Sequence, residues 1–239
     1  MHIISTPITF GLSESPESFG FITLIHQAEE DPQWLSTFSE MEKAVFSKHI
    51  HEARKKSYLL GRYCAKQAIC HLLQISSPSS ISIVSGEFRY PLIRGINQNG
   101  LSLSLAHSGS SGLALAHFDT YLCGVDIESI NSVSNSSIRS LLTDSEKLLL
   151  SQLPLDEKAA LTLAWSAKES LSKAVKTGLT IPFSFFEIVS IERHALHYEV
   201  SYKHFRQYTS INFPTNEMML SIAKPKTVAI YGLDPLFRS

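Results

Sequence analysis

The chain has 239 residues, with 21 Lys+Arg against 22 Asp+Glu and a formal net charge of -1. At roughly 100–200 residues per domain this is one large domain or two small ones. Hydrophobic residues at 44% and charged residues at 18% exclude a disordered or collagen-like chain, and the balanced charge excludes a broad nucleic-acid footprint.

Residues 1–32 hold short apolar runs interrupted by Pro7 and Pro16, with no strong period. They lack the basic start and long apolar stretch of a secretory signal, and no run in the chain approaches the roughly 18–20 apolar residues of a membrane span. From Gln33 to His49 the residues Trp34, Phe38, Met41 and Val45 recur at helical spacing, which predicts a helix. A second helix is expected from about Ala53 to Gln74, with an apolar stripe of Leu59, Ala65, Ile69, Leu72 and Leu73. It also carries Arg54, Lys55, Lys56, Arg62 and Lys66, of which Lys55, Arg62 and Lys66 project from one side. Three cysteines, Cys64, Cys70 and Cys123, fit neither a disulfide framework nor a metal-site spacing, so reduced thiols and a cytoplasmic location are expected.

The turn-rich ISSPSSISIVSGE leads into a short strand. From Leu101 the sequence LSLSLAHS alternates strictly and predicts a half-buried strand; LALAHF and YLCGVDIE predict two more. Residues 131–140, rich in serine, read as an exposed loop. Thr143 and Glu146 form a capping box that opens a helix, and Asp156 caps a further helix from Glu157 to Thr177 that Gly178 ends. From Ile181 the texture is β, with the aromatic-rich FSFFEIV as a core strand followed by LHYEVSYK, FRQYTSI, MMLSIAK and TVAIYGL. Helices and strands in this order predict an α+β fold with small antiparallel sheets, and no repeat is visible in the sequence. His49, His51, His194, His197 and His204 show no converging acid or cysteine pattern and read as surface or packing residues rather than zinc ligands.

Three segments carry chemistry. In Gly124-Val125-Asp126-Ile127-Glu128, alternation along a strand sends Val125 and Ile127 to the core and puts Asp126 and Glu128 on the other face. Two carboxylates about 7 Å apart along a strand can grip one hard cation, although a D-x-E triplet alone is as well explained by a solvated face. In WSAKESLSK, Trp165, Glu169 and Lys173 stack on one helix face. The opposite stripe, Leu161, Ala164, Ala167, Leu171 and Val175, already supplies a core face, so this helix is expected to pack on both sides. Glu169 beside the strand pair would complete an oxygen-rich Mg²⁺ site, and Lys173 one turn on would hold a phosphate as a point charge. Ala106-His107-Ser108-Gly109 ends a strand in a tight turn whose N–H groups, hydroxyl and imidazole can contact phosphate.

GVDIE followed after about 40 residues by WSAKESLSK, and preceded by LAHSG and LLGRYCAKQAI, resembles the Sfp-type 4′-phosphopantetheinyl transferases. With GEFRYP, the chain is most similar to the enterobactin-associated branch of that family. The resemblance covers roughly residues 54–178. It implies two similar α/β halves, residues 1–118 and 119–239, related by a pseudo-twofold axis in a monomer. It also implies transfer of 4′-phosphopantetheine from coenzyme A to a serine of an acyl or peptidyl carrier protein, with release of adenosine 3′,5′-bisphosphate.

By motif position, Asp126, Glu128 and Glu169 would hold Mg²⁺ against the coenzyme A pyrophosphate, and Lys173 would contact the pantetheine-side phosphate. His107 and Ser108 would meet phosphate near the adenosine end, with Lys66, Arg62 and Arg89 on the adenosine or its 3′-phosphate. Glu169 would be the general base, with Glu128 acting through water as its rival. The sequence departs from the family in Ala106, where many members have serine, and in Leu92-Ile93, where the branch usually carries Trp-Pro. A different Mg²⁺-dependent phosphohydrolase or nuclease would explain the acidic residues but not the basic helix or the HSG turn. A non-catalytic carrier-protein binder would not explain an intact acidic set.

Overall fold

Two long strands open the chain where the sequence showed no period: β1 (His2–Gly11) and β2 (Ser18–His26) pair antiparallel along nearly their whole length. Their buried residues do not alternate strictly, and β2 buries Ile22, Thr23, Leu24 and Ile25 in succession, which is why a two-residue period is weak there. The structure, a computed structural model, describes residues 2–12, 17–28, 32–48, 51–97, 99–131 and 135–237.

The helix expected over 33–49 is divided. Residues Pro32–Thr37 form a 3₁₀ turn, and α1 (Glu40–Phe46) starts afresh at Ser39, whose side chain caps the backbone N–H of Glu42. Ser39 and Glu42 are a capping box lying inside the apolar period, and the cap interrupts the period. His49 lies outside the described residues. The next helix, α2 (Glu52–Leu73), follows the expected span.

A small hairpin of β3 (Ser82–Ser85) and β4 (Pro91–Arg94) comes next, then β5 (Leu101–Ser108) and β6 (Ser111–Phe118). The second half brings β7 (Gly124–Ser129), α3 (Asn135–Leu141), α4 (Asp144–Ser151) and α5 (Glu157–Ala174). Four strands follow: β8 (Ile188–Arg193), β9 (Tyr198–Tyr202), β10 (Tyr208–Pro214) and β11 (Met218–Pro225). The chain then forms β12 (Ala229–Tyr231). Two local expectations change. The Ser-rich stretch is helical from Asn135, and residues Phe183–Phe186 make a 3₁₀ turn rather than a strand. No described helix is long and apolar enough to cross a membrane.

The chain forms two compact units, Met1–Tyr121 with Val228–Ser239, and Leu122–Thr227. The C-terminal segment goes with the first unit because β12 pairs with β1 through Thr9–Gly11, whereas the sequence reading kept 119–239 together. The first unit is an antiparallel sheet in the order β12-β1-β2-β6-β5, against which α2 packs. The second is an antiparallel sheet in the order β7-β11-β10-β9-β8, with α5 on it. The α+β fold with small antiparallel sheets is therefore the one observed.

Each unit is pinned by the same device. In the first, Glu42 Oε2 accepts the Ser39 N–H at 3.0 Å and pairs with Lys66 Nζ of α2 at 2.7 Å, while Oε1 accepts the Ile83 N–H of β3 at 3.0 Å. In the second, Glu146 Oε2 accepts the Thr143 N–H at 2.9 Å, while Oε1 accepts the Ile188 N–H of β8 at 2.9 Å and pairs with Lys168 Nζ of α5 at 2.6 Å. Both ion pairs are almost wholly shielded from water. A repeat unseen in the sequence thus exists as a capping box, a buried lysine and a strand start.

Breaking such a pair from one side leaves a buried charge uncompensated. Lys66→Ala is expected to cost about 3–5 kcal/mol, read as a lowered urea midpoint.

Gly124 sets the spacing of the second unit. A Cβ there would stand 2.2 Å from the Ser170 carbonyl oxygen and 2.4 Å from the Ala174 backbone nitrogen, so only glycine lets α5 lie directly on the start of β7. Gly124→Ala should lower stability by about 1–3 kcal/mol through overpacking, measured by chemical denaturation.

Candidate active site

Because Gly124 faces α5 and side chains alternate along a strand, Asp126 and Glu128 face α5 as well. Val125 and Ile127 are buried on the opposite face. The expectation that the carboxylates share a face apart from these two holds, but that face is the covered one, and Asp126 is only 3% exposed. On α5, Leu161, Ala164, Ala167 and Leu171 are fully buried in the core, which turns Trp165, Glu169 and Lys173 toward β7.

The contacts across this junction are specific. Lys173 Nζ donates to Asp126 Oδ1 at 2.6 Å. The Trp165 indole N–H donates to Glu128 Oε1 at 3.1 Å, and its ring stacks on Phe183 with centroids 5.3 Å apart. The indole is costly to leave in water, and here it is both packed and paired. Trp165 had been singled out for its place on the helix face; its hold on a carboxylate of β7 has no signal in the sequence.

The electrostatics follow from three carboxylates gathered around one ammonium. Burial, reinforced by the charges of Asp126 and Glu128 and opposed by Lys173, pushes the Glu169 carboxyl up to about 7. Burial works against the charge of Lys173, but Asp126 and Glu169 outweigh it and hold the amine protonated above its usual range.

The donor set is all oxygen, as a hard divalent cation requires. Asp126 Oδ2 is buried without a hydrogen-bond partner among the described residues, an acceptor aimed where a cation would satisfy it. The three carboxylates are not gathered within 4.8 Å of one another, because Lys173 and Trp165 each hold one of them. The all-carboxylate donor set, with its unpartnered Asp126 oxygen, suits a Mg²⁺ ion by its chemistry.

A network on the same face of the sheet fixes this end of α5. The Tyr202 hydroxyl donates to the Ala167 carbonyl at 2.8 Å and meets Ser210 Oγ at 2.7 Å. Asn212 Nδ2 donates to Ser210, and Ser221 Oγ donates to Asn212 Oδ1 at 2.6 Å. Ser221 is the register partner of Asp126. Sequence reasoning missed these residues, since polar side chains inside a β-patterned stretch carry no mark of burial.

In the first unit the expected residues fare differently. His107, half-buried, sits near Gly61 of α2, and Ser108 lies at the end of β5, where Gly109 turns with φ of +57°. Arg89 is exposed, on a left-handed backbone at φ of +64° after Phe88 at +51°. Arg62 is largely shielded, its guanidinium 4.6 Å over the Tyr58 ring and its Nε 4.0 Å from Glu42. Lys66 does not project into solvent: it is fully buried, paired with Glu42, and also donates to the carbonyls of Pro78 and Ile81. Its expected contact with coenzyme A is replaced by a structural role, because α2 presents that side to α1 and β3. The three cysteines are free thiols, as expected.

Comparison with known proteins bears on the second unit directly. Its residues 122–217 match the model of the 4′-phosphopantetheinyl transferase superfamily. That match covers the strand and helix that carry the carboxylates and Lys173. Enterobactin synthase component D of Salmonella typhi is 31% identical over 166 residues, 68% of this chain and 64% of that protein. The Escherichia coli (strain K12) component D is 29% identical over 164 residues, 68% of this chain and 71% of its own length. The chain therefore spans just under two thirds of the Salmonella typhi relative. The superfamily model that matches and the enterobactin-associated relatives are those to which the motifs point.

The raised Glu169 pKa gives this site a pH dependence in the absence of metal. A carboxyl that holds its proton more tightly when folded favours the folded state at low pH, and this advantage is lost as pH rises from the unfolded value of 4.5 to about 7. In Mg²⁺-free buffer, Glu169→Gln should melt higher than the unaltered protein at pH 8 and no higher at pH 5, read by thermal unfolding.

Proposed function

We propose that this protein transfers 4′-phosphopantetheine from coenzyme A to a serine hydroxyl of an apo acyl or peptidyl carrier protein. The observation that supports this most is Lys173 paired with Asp126 beneath Glu169, one protonated amine among three carboxylates, inside the segment matched to the superfamily. The enterobactin synthase components among its relatives favour a siderophore-type carrier.

In the reaction the serine oxygen bonds to the pantetheine-side phosphorus of coenzyme A. The bridging P–O bond breaks, and adenosine 3′,5′-bisphosphate leaves. Such a displacement asks the protein mainly for positioning and charge neutralisation. Asp126, Glu128 and Glu169 would hold Mg²⁺, which neutralises charge on the pyrophosphate when bound.

Lys173, held protonated, places its ammonium for the transferred phosphoryl oxygens, an effect strengthened where water is excluded. Glu169 takes the serine proton, one carboxylate oxygen facing the incoming hydroxyl while the other would hold the metal. Trp165 keeps Glu128 oriented through its indole N–H.

Intact-mass analysis of an apo carrier protein, incubated with this protein, coenzyme A and Mg²⁺, tests the reading. A gain of one phosphopantetheine that EDTA abolishes is expected. Lys173→Ala should slow the transfer by about 10²–10³-fold, as loss of one preorganised donor does elsewhere. Cleavage of coenzyme A without carrier modification would favour a phosphohydrolase instead.

A further inference from the structure

We propose that His194, His197 and Glu199 form a binding site for a divalent transition-metal ion of the zinc type, on the β8–β9 hairpin. The sequence reading set the two histidines aside for want of a converging acid, and the fold supplies one. Arg193 and Tyr198 are the register pair that closes the hairpin, and the His194 N–H donates to the His197 carbonyl at 2.8 Å. His197 immediately precedes β9 and Glu199 is its second residue, while His194 directly follows β8 across the turn. The ligand atoms of all three lie within 4.8 Å of one another, the one such group of three among the described residues.

The individual contacts suit chelation. The Thr209 hydroxyl, which donates to the Val200 carbonyl at 2.8 Å, also lies 3.1 Å from Glu199 Oε1. Glu199 Oε2 then faces His194 Nε2 at 3.9 Å. The two imidazoles stack with centroids 4.6 Å apart, and the Phe213 ring lies 5.3 Å from that of His197. Metal–nitrogen bonds of about 2.0–2.1 Å place tetrahedral ligands roughly 3.3 Å apart. The gap closes by about 1.5 Å, within reach of side-chain rotation at a half-open site.

Two imidazoles and one carboxylate select a borderline ion over hard Mg²⁺, and three protein ligands leave a position for water. Lys224 of β11 is within electrostatic reach of Glu199 and His197, and its charge opposes a cation there. The site is separate from the carboxylates of β7 and does not depend on the proposed transfer reaction.

Calorimetric titration of the full chain with zinc chloride, in excess Mg²⁺ to engage the all-oxygen set, tests the proposal. One zinc ion is expected to bind, with affinity reduced at least about tenfold in His197→Ala, by analogy with the loss caused by removing ligand support. His194→Ala, at an exposed position, provides a second variant whose fold is not at risk, and circular dichroism confirms it. Visible absorption of bound Co²⁺ should fall in the same two variants. Zinc affinity unchanged by both substitutions, or no zinc bound in excess Mg²⁺, would overturn the proposal.

Discussion

A buried glutamate that serves a helix cap, a strand start and a lysine at once is the constraint on which each unit depends. Glu146 closes the capping box of α4, receives the first N–H of β8 and neutralises Lys168 from the middle of α5. A dry ammonium is tolerable only with such a partner, since desolvation lowers its pKa and the carboxylate opposes that shift. The cost of burying two charges is offset by three elements being held in one register. The ring of Phe183, with Lys168 Nζ 4.4 Å from its centroid, adds a further cation contact. Glu42 and Lys66 repeat the arrangement in the first unit.

The site rests on that frame. Lys168 and Glu169 are neighbours on α5, and helical geometry turns adjacent side chains about 100° apart. Lys168 is therefore fixed inward against Glu146 while Glu169 is presented to β7. Gly124 removes the last obstacle to close approach, and Lys173 and Trp165 each take one carboxylate of the strand. A lysine locked in the interior and a lysine left partly exposed thus stand five residues apart on one helix, and their surroundings set the difference.

Burial decides whether a charged group in this fold is a ligand contact or a clamp. Lys66 and Lys173 are both lysines one turn past a motif residue, but only Lys173 keeps side-chain exposure, 26% against 0% for Lys66. A charge that water and substrate can reach is available for chemistry; one that neither can reach must already be paired. By the same reasoning, the hairpin histidines, half in solvent and beside a carboxylate, gain a role that their spacing alone does not express.

Sequence alone determined the local elements whose signal is local. The capping box at Thr143, the cap at Asp156, the alternation of LSLSLAHS and the helical spacing of Trp165, Glu169 and Lys173 all reappear in the structure. Hydrogen bonds within four residues and side-chain periodicity are written into neighbouring letters. It also pointed to the superfamily whose model matches residues 122–217, through GVDIE and WSAKESLSK and their separation in the chain. Tertiary structure alone decided which charges are buried, that Glu199 meets His194 and His197, and that β12 returns to β1. These depend on residues distant in sequence and on which face of an element water can reach, and neither is encoded by periodicity.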